Sequence, residues 1–334
     1  MTKGYSNFAR TVVGRPWAIE ESKFEELRAF WELRIAGQAS AWEGERPEPF
    51  AAVNYAANGG SDQIAVLPLY GVLMAKVSPM AAMSGATSTQ AFRKAFAEQM
   101  NNPAVKKIII DVDSPGGSVF GIDELAAEIR AAAARKDIIA IANEGLMASA
   151  AYYAMSGASE IIASPSSEVG SIGVLAIHYD YSGQNEMMGV KPTLIKAGKF
   201  KAEGMEDFPL GDEALAAIQA DVDRYYEMFV QAVAKGRGVS PSAVRNGFGE
   251  GRVVGAQQAV RLGLADRVAT LDETIARFVG GGRVTRRGAM LAALEGNSSL
   301  EEEQVDAADD AAARDRDRLA LDVELAEAGA VSRR

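Results

Sequence analysis

Three short motifs contain the residue types that could carry out acyl-transfer chemistry, and the first is a glycine-rich turn. The motif DSPGGS (113–118) follows an apolar run and precedes a helix-like run. Its glycines would let a substrate approach the backbone closely, and the free N–H groups of such a turn can bind a phosphate or an oxyanion. A tight turn that binds no ligand explains the same spacing, and this alternative stays open.

The second motif places Ser149 among small residues, in ASAAYY (148–153), directly after another strand-like run. A serine at a strand-to-helix junction exposes its hydroxyl at the carboxyl edge of the sheet, and the N–H of the next residue, Ala150, points to the same place. Ser149 is therefore the candidate nucleophile. The motif differs from the GxSxG sequence of α/β-hydrolases, and a serine that caps the helix N-terminus is the alternative interpretation.

A serine nucleophile needs a general base, and the candidates are a lysine cluster and a histidine. The cluster lies in KAGKFKAEG (196–204), and a lysine serves as a base only when its surroundings keep it neutral. A solvated basic turn is the alternative interpretation of this segment. His178 is the single histidine of the chain. Since no carboxylate partner can be identified for it from spacing, a structural role is the favoured interpretation.

The composition excludes several other kinds of chemistry. The chain has 334 residues, no cysteine, one histidine and a formal net charge of −10. Disulfides, thiolate metal sites and cysteine nucleophiles are excluded, and so are zinc sites that need several imidazoles. The acidic balance argues against a nucleic-acid partner. No metal or other cofactor is expected.

The sequence also predicts a protein that is not inserted in a membrane. Arg10 and Arg15 interrupt the N-terminal stretch before a signal peptide could form, and no apolar run reaches the roughly 18 residues that span a bilayer. We therefore expect neither a signal peptide nor a transmembrane segment, no membrane partner, and a cytoplasmic location.

Short β-branched runs alternate with amphipathic helices, which indicates an α/β fold with substantial parallel pairing. Because the apolar runs are nearly continuous, both faces of the sheets should be covered by helices. The predicted strands are 64–71, 106–113, 137–143, 160–164, 171–177 and 193–197, and the predicted helices are 123–135, 212–236 and 256–268.

The chain should divide into three parts. Residues 1–60 are predicted to form a helical arm and a linker, because apolar residues recur at helical spacing before a stretch with proline and glycine. A helix packed directly on the body is the alternative for this part. Residues 61–280 would form the catalytic domain. Residues 281–334 are Ala-rich, mostly acidic and free of aromatic residues, which is typical of a solvated helix or a disordered tail.

The order of these motifs resembles the protease IV / signal peptide peptidase A family, serine peptidases with the ClpP/crotonase fold of repeated β-β-α units. The similarity runs from about Gln63 to Leu271 and covers four blocks in the same order. The blocks are DSPGGS (113–118), ASAAYYAMSGASEIIASPSSEVGSIGV (148–174), KAGKFKAEG (196–204) and GRVVGAQQAVRLGLADRV (251–268).

This resemblance implies a Ser-Lys dyad, which needs no histidine. Ser149 would be the nucleophile, and Lys201, at the last position of the G-x-x-K motif 198–201, would be the general base. Ser171 matches the serine that orients the lysine amine in the family. The implied activity is that of a serine endopeptidase, which hydrolyses peptide bonds through an acyl-enzyme.

The resemblance also implies an oxyanion hole made by the backbone N–H groups of Gly117 and Ala150, with Gly116 supporting the turn. An extended peptide substrate would pair with strand edges beside Gly117 and Ser171. Members of the family form rings or domed assemblies, so a homo-oligomer is expected.

The flanks of the chain narrow the resemblance to tailed-phage prohead proteases related to the lambda capsid protein C. The stretches 15–38 and 67–92 carry this likeness, and an acidic tail fits the layout of such proteins. The implied substrates are scaffold, portal or capsid proteins and the C-terminal tail of the chain itself. Cleavage would take place in the host cytoplasm, within the prohead, during head maturation.

Three alternatives stay open. A host cytoplasmic protease of the signal-peptide-peptidase type would use the same dyad on other substrates. A crotonase-type acyl-CoA enzyme would use the same pair of N–H groups but would give Ser149 and Lys201 no role. A non-catalytic capsid scaffold component would keep the fold without the activity.

Overall fold

A computed structural model of the protein describes residues 16–24, 52–56, 62–77 and 85–279. Most of the predicted helical arm and the whole predicted tail, 281–334, lie outside these residues. The strands are β1 (Trp17–Ile19), β2 (Val53–Ala56), β3 (Gln63–Tyr70), β4 (Val72–Met74), β5 (Ala86–Ser88), β6 (Val105–Ser114), β7 (Gly116–Ser118), β8 (Asp137–Ala148), β9 (Glu160–Ala163), β10 (Glu168–Gly170), β11 (Val253–Gly255) and β12 (Arg267–Val268). The helices are α1 (Thr89–Asn101), α2 (Ile122–Ala133), α3 (Ala150–Met155), α4 (Ser182–Met187), α5 (Asp212–Arg237), α6 (Pro241–Gly247), α7 (Ala256–Leu262) and α8 (Leu271–Val279).

The larger of two sheets is built around parallel strands. Its order is β11-β10-β8-β6-β3-β2, with β9 beside β8 and β12 beside β9. Pairing is parallel throughout its centre and antiparallel only where β2 and β11 join. Ile108, Ile109 and Ile110 of β6 are all fully buried. Consecutive buried residues belong to a strand with both faces covered, as the apolar runs predicted.

Strand β8 is long enough to pair with two strands in succession. Its first half lies beside β9, and its last residues, Leu146–Ala148, lie parallel to β10. The carboxyl ends of β8 and β10 are therefore neighbours. Ser149 follows the first of them and Ser171 follows the second.

The smaller sheet has the order β1-β7-β4-β5. Strand β7 lies antiparallel to β1 on one side and parallel to β4 on the other. Gly116 and Gly117 are thus strand residues, whereas the DSPGGS motif predicted only a turn. Strands β1 and β2 come from the predicted N-terminal arm and linker, and both pair with strands of the body.

One pattern recurs along the chain: a strand of the larger sheet, then one or two strands of the smaller sheet, then a helix. It appears as β3-β4-β5-α1 and again as β6-β7-α2, and the following β8-α3 omits the small strand. This is the β-β-α repeat expected from the sequence, and the α/β class is confirmed.

The helices bury apolar faces against the sheets. Helix α2 contributes Ile122, Leu125 and Ile129, which recur at helical spacing. Helix α5 contributes Phe229, whose ring stacks on Tyr153 of α3 with the ring centroids 4.5 Å apart. None of the helices in the described ranges is long and apolar enough to cross a membrane.

Two of the predicted strands are wrong. The segment 171–177 forms no strand and contributes a single β-bridge, between Leu175 and Trp17. The segment 193–197 also contains no strand. The side chain of Ile195 in the second segment is 93% exposed. A β-branched run becomes a strand only when another strand edge pairs with it, and periodicity along the chain does not reveal that edge.

Candidate active site

Ser149 occupies a strained turn between β8 and α3. Its φ is 52° and its ψ is −118°, a backbone conformation that non-glycine residues rarely adopt. Its N–H donates to the Gly170 carbonyl at 2.7 Å, and its own carbonyl accepts from the Tyr153 N–H at 2.8 Å. Ser149 is the N-cap residue of α3, but its side chain makes no capping hydrogen bond, so its hydroxyl does not cap the helix.

The Ser149 hydroxyl is fully buried and has no hydrogen-bond partner among the residues that the structure describes. Buried polar groups are nearly always paired, because an unpaired hydroxyl costs about 1–3 kcal/mol of stability. Strain and an unpaired polar atom thus coincide at one residue. Such a coincidence is typical of a catalytic group, which must keep its hydroxyl available to a substrate.

The glycine strand β7 lies directly against Ser149. A Cβ atom built on Gly116 would lie 2.9 Å from the Ala150 nitrogen and 2.9 Å from the Ser149 Cβ. The φ of Gly116 is +101°, and a Cβ on Gly117 would lie 2.0 Å from the Leu73 carbonyl oxygen. Both positions therefore require glycine.

The predicted oxyanion hole would use two backbone N–H groups, those of Gly117 and Ala150. Ala150 is the first residue of α3, where helical N–H groups have no intrahelical acceptor. Gly116 has a different task, since its N–H donates to Ser114 Oγ at 3.2 Å while that hydroxyl donates to the Gly71 carbonyl at 2.7 Å. Gly116 thus shapes the strand, and the N–H groups of Gly117 and Ala150 stay the predicted donors.

Ser171 lies at the end of β10, beside the turn that contains Ser149. Its residue is 8% exposed, its φ is 53°, and its N–H donates to the Arg252 carbonyl at 2.9 Å. The parallel pairing of β8 with β10 brings the two serines to the same edge of the larger sheet. Ligand sites of parallel sheets lie at this carboxyl edge.

Lys201 lies in an exposed segment, and the structure does not join it to Ser149. The Ser149 hydroxyl has no hydrogen-bond partner, so the Lys201 amine is not bonded to it. The two neighbouring lysines have other contacts: Lys196 donates to the Lys199 carbonyl at 3.1 Å, and Lys199 pairs with Glu213 at 2.7 Å. The base role of Lys201 stays a prediction.

His178 is half-buried in the stretch after β10, and both of its ring nitrogens are buried. Neither ring nitrogen has a hydrogen-bond partner among the described residues. Burial raises the pKa of the nearby Glu206 carboxyl. No contact links His178 to Ser149, whose hydroxyl is unpartnered.

Sequence reasoning assigned no role to two carboxylates that support the site from β6. Asp113 accepts from the Leu146 N–H at 3.0 Å and so holds the end of β8 in place. Asp111 is almost fully buried and accepts a hydrogen bond from the Tyr70 hydroxyl. Burial raises the pKa of Asp111, while the Tyr70 and Asn143 side chains lower it. An aspartate at alternate positions near the end of an apolar strand is the signal that marks such residues.

Residues 130–282 match the model of peptidase family S49. The chain is similar to the capsid assembly protease C of Escherichia phage lambda, with 31% identity over 70% of this chain and 52% of that protein. It is also similar to a putative signal peptide peptidase SppA of Enterococcus faecium, with 34% identity over 52% of this chain and 50% of that protein. The chain thus spans about half the length of these curated relatives.

Among solved structures, a mutant of the 1510-N membrane-bound stomatin-specific protease matches 66% of this chain and 90% of its own, with 15% identity and a TM-score of 0.40. The matched region 130–282 contains Ser149, Ser171 and Lys201. Residues 130–282 are thus similar to peptidase family S49, and the chain is similar to two proteins named as proteases or peptidases.

Proposed function

We propose that the protein is a serine endopeptidase with Ser149 as nucleophile and Lys201 as general base. The observation that carries this proposal is the Ser149 turn: it packs against the glycine strand β7, and its buried hydroxyl has no hydrogen-bond partner within the described ranges. The similarity to family S49 peptidases supports the same chemistry. A crotonase-type reaction is not favoured, since the similar proteins are proteases.

In the proposed reaction, the Ser149 hydroxyl oxygen attacks a peptide carbonyl and its proton passes to the neutral Lys201 amine. The N–H groups of Gly117 and Ala150 bind the oxyanion, and each such donor contributes about 3 kcal/mol to the transition state. The amine then protonates the leaving nitrogen, and water hydrolyses the acyl-enzyme. Ser171 would position the Lys201 amine. The exposed segment that contains Lys201 must approach Ser149 for this reaction.

We further propose that the substrates are scaffold, portal or capsid proteins of a tailed phage, together with the C-terminal tail of the chain. Cleavage would take place in the host cytoplasm within the prohead, by a homo-oligomer. The similarity to the lambda capsid assembly protease supports this assignment. A host protease of the signal-peptide-peptidase type is the second candidate, because the chain is similarly related to the Enterococcus protein.

The proposal is tested by intact-mass analysis of the full chain co-expressed with capsid and scaffold proteins of a tailed phage. The wild type should be trimmed and should cut its partners, while Ser149→Ala and Lys201→Ala should lower the rate by at least about 10⁴-fold. Ser156→Ala and Lys196→Ala are the matched controls and should keep the wild-type rate.

Cleavage by Ser149→Ala at the wild-type rate would show that the nucleophile is another residue. If even the wild type cuts none of these proteins, a non-catalytic scaffold role replaces the proposal. Cleavage of signal peptides without cleavage of capsid proteins would favour the second candidate.

A further inference from the structure

The N-terminal strand β1 lies in a groove between β7 and the chain after Ser171. On one side, Trp17 and Leu175 exchange two backbone hydrogen bonds of 2.8 and 2.9 Å. On the other side, the Glu20 N–H donates to the Pro115 carbonyl at 2.8 Å. Strand β1 thus bridges two stretches that flank the Ser149 turn, where an extended peptide substrate is expected to pair.

The register of β1 directs the Ala18 carbonyl towards the predicted oxyanion donors. Hydrogen-bonded pairs in an antiparallel ladder recur every second residue. Because Glu20 and Pro115 form such a pair, Ala18 and Gly117, which are directly opposite each other, form the next one. The Ala18 carbonyl oxygen therefore lies on the Gly117 N–H.

The same carbonyl also lies near the nucleophile. The position that a Gly116 Cβ would occupy is 2.3 Å from the Ala18 oxygen and 2.9 Å from both the Ala150 nitrogen and the Ser149 Cβ. Ser149 itself has no exposed surface. A peptide carbonyl of the chain thus lies close to both Ser149 and the Ala150 N–H.

The side chains of β1 alternate between two environments. Trp17 and Ile19 pack together in a small apolar cluster with Phe24 and Val72, and Ala18 packs against the main core. All three residues of the strand are at most 3% exposed. Because successive strand residues point to opposite faces, the groove holds a small residue towards the core and a large apolar residue on each side of it.

We propose that β1 is a built-in substrate mimic, which occupies the substrate groove and keeps the site closed until it leaves. This inference rests on the proposed peptidase function. It also assigns the substrate class: extended segments in which a small residue lies between two large apolar residues, with the carbonyl of the small residue at the oxyanion donors.

The first test displaces β1 in the full chain. Ala18→Arg places a long charged side chain where the residue is 1% exposed, so β1 should leave the groove. The kcat/KM for an internally quenched peptide containing Trp-Ala-Ile should rise about 10-fold, because a larger fraction of the enzyme is open. Ala56→Arg, at an exposed position of β2, is the matched control and should not change kcat/KM. Unchanged or lower activity of a folded Ala18→Arg protein would overturn the proposal.

The second test does not depend on catalysis or on the folding of that variant. In the full-length Ser149→Ala protein, hydrogen exchange of residues 17–20 is followed with and without the Trp-Ala-Ile peptide. The peptide should displace β1 and accelerate exchange there, and a peptide with arginine in place of the alanine should not. Equal exchange with both peptides would overturn the proposal. If the Trp-Ala-Ile peptide displaces β1 but no form of the protein cleaves it, the substrate-mimic inference stands and the proposed peptide hydrolysis is rejected.

Discussion

At the scale of single residues, the candidate site contains unfavourable local features that its surroundings must stabilise. Ser149 combines a positive φ with a buried hydroxyl that has no partner, and Ser171 also has a positive φ. Each such backbone conformation costs of order 1–3 kcal/mol and persists only where its surroundings hold it. The parallel pairing of β8 and β10 and the N–H of Ser149 on the Gly170 carbonyl supply that support.

Because of Asp111, we expect the stability of the folded protein to depend on pH. Burial raises its pKa, so the folded protein holds this proton more tightly than the unfolded chain does. The carboxyl therefore favours folding most below the ordinary aspartate pKa, and this contribution is lost as pH rises through the raised pKa.

Asp111→Asn should consequently raise the Tm at pH 7, because it removes a buried charge while its amide oxygen can still accept from the Tyr70 hydroxyl. The gain should shrink as pH falls through the raised pKa of Asp111, because the wild-type carboxyl then becomes protonated and loses its buried charge. Calorimetry of both proteins from pH 4 to 8 checks this. A Tm difference that does not change with pH would contradict it.

At the scale of elements, the contact between α5 and α3 depends on a glycine. Gly236 lies near the end of α5, and a Cβ there would lie 2.3 Å from the Ser156 carbonyl oxygen at the end of α3. The two helices thus meet backbone to backbone. The same contact region contains the stacked rings of Tyr153 and Phe229.

Gly236→Ala should destabilise the protein by about 2 kcal/mol, because overpacking outweighs the better helix propensity of alanine. Urea unfolding measures this change as a lower midpoint. Gly247→Ala in α6 is the matched control, since a Cβ there meets nothing within 4 Å. If the two variants have equal midpoints, the contact between α5 and α3 is looser than described.

At the scale of the whole molecule, the segment after β10 exposes several large apolar side chains. Met187 is 84% exposed, Ile195 93% and Phe200 56%. Large apolar side chains exposed together mark interaction surfaces. Lys201 lies in the same segment, so its environment depends on what covers these side chains.

We expect Ile195→Glu to weaken the proposed homo-oligomer, because a charge would be buried in the subunit interface. Sedimentation velocity should then show a shift towards the monomer, with an unchanged Tm at high dilution. Val239→Glu, at an exposed apolar position outside the segment, should leave the association unchanged. A wild type that is monomeric at all concentrations would refute the homo-oligomer.

The features of the fold and the candidate site that could be predicted from the sequence are those with local causes. Isoleucine-rich runs indicated the parallel strands because strands buried on both faces need continuous apolar residues. Small residues around Ser149 and the paired glycines at 116–117 marked the candidate nucleophile and its turn because only such residues permit that close approach.

The parts that only the tertiary structure decided depend on contacts between distant segments. The pairing of Trp17–Ile19 with β7 joins residues about a hundred positions apart, and no local pattern specifies which strand edge will accept such a segment. The failure of 193–197 to form a strand has the same origin, since its β-branched residues have no edge to pair with in the described chain. Local chemistry determined which residues could react, and long-range pairing decided which segment lies over them.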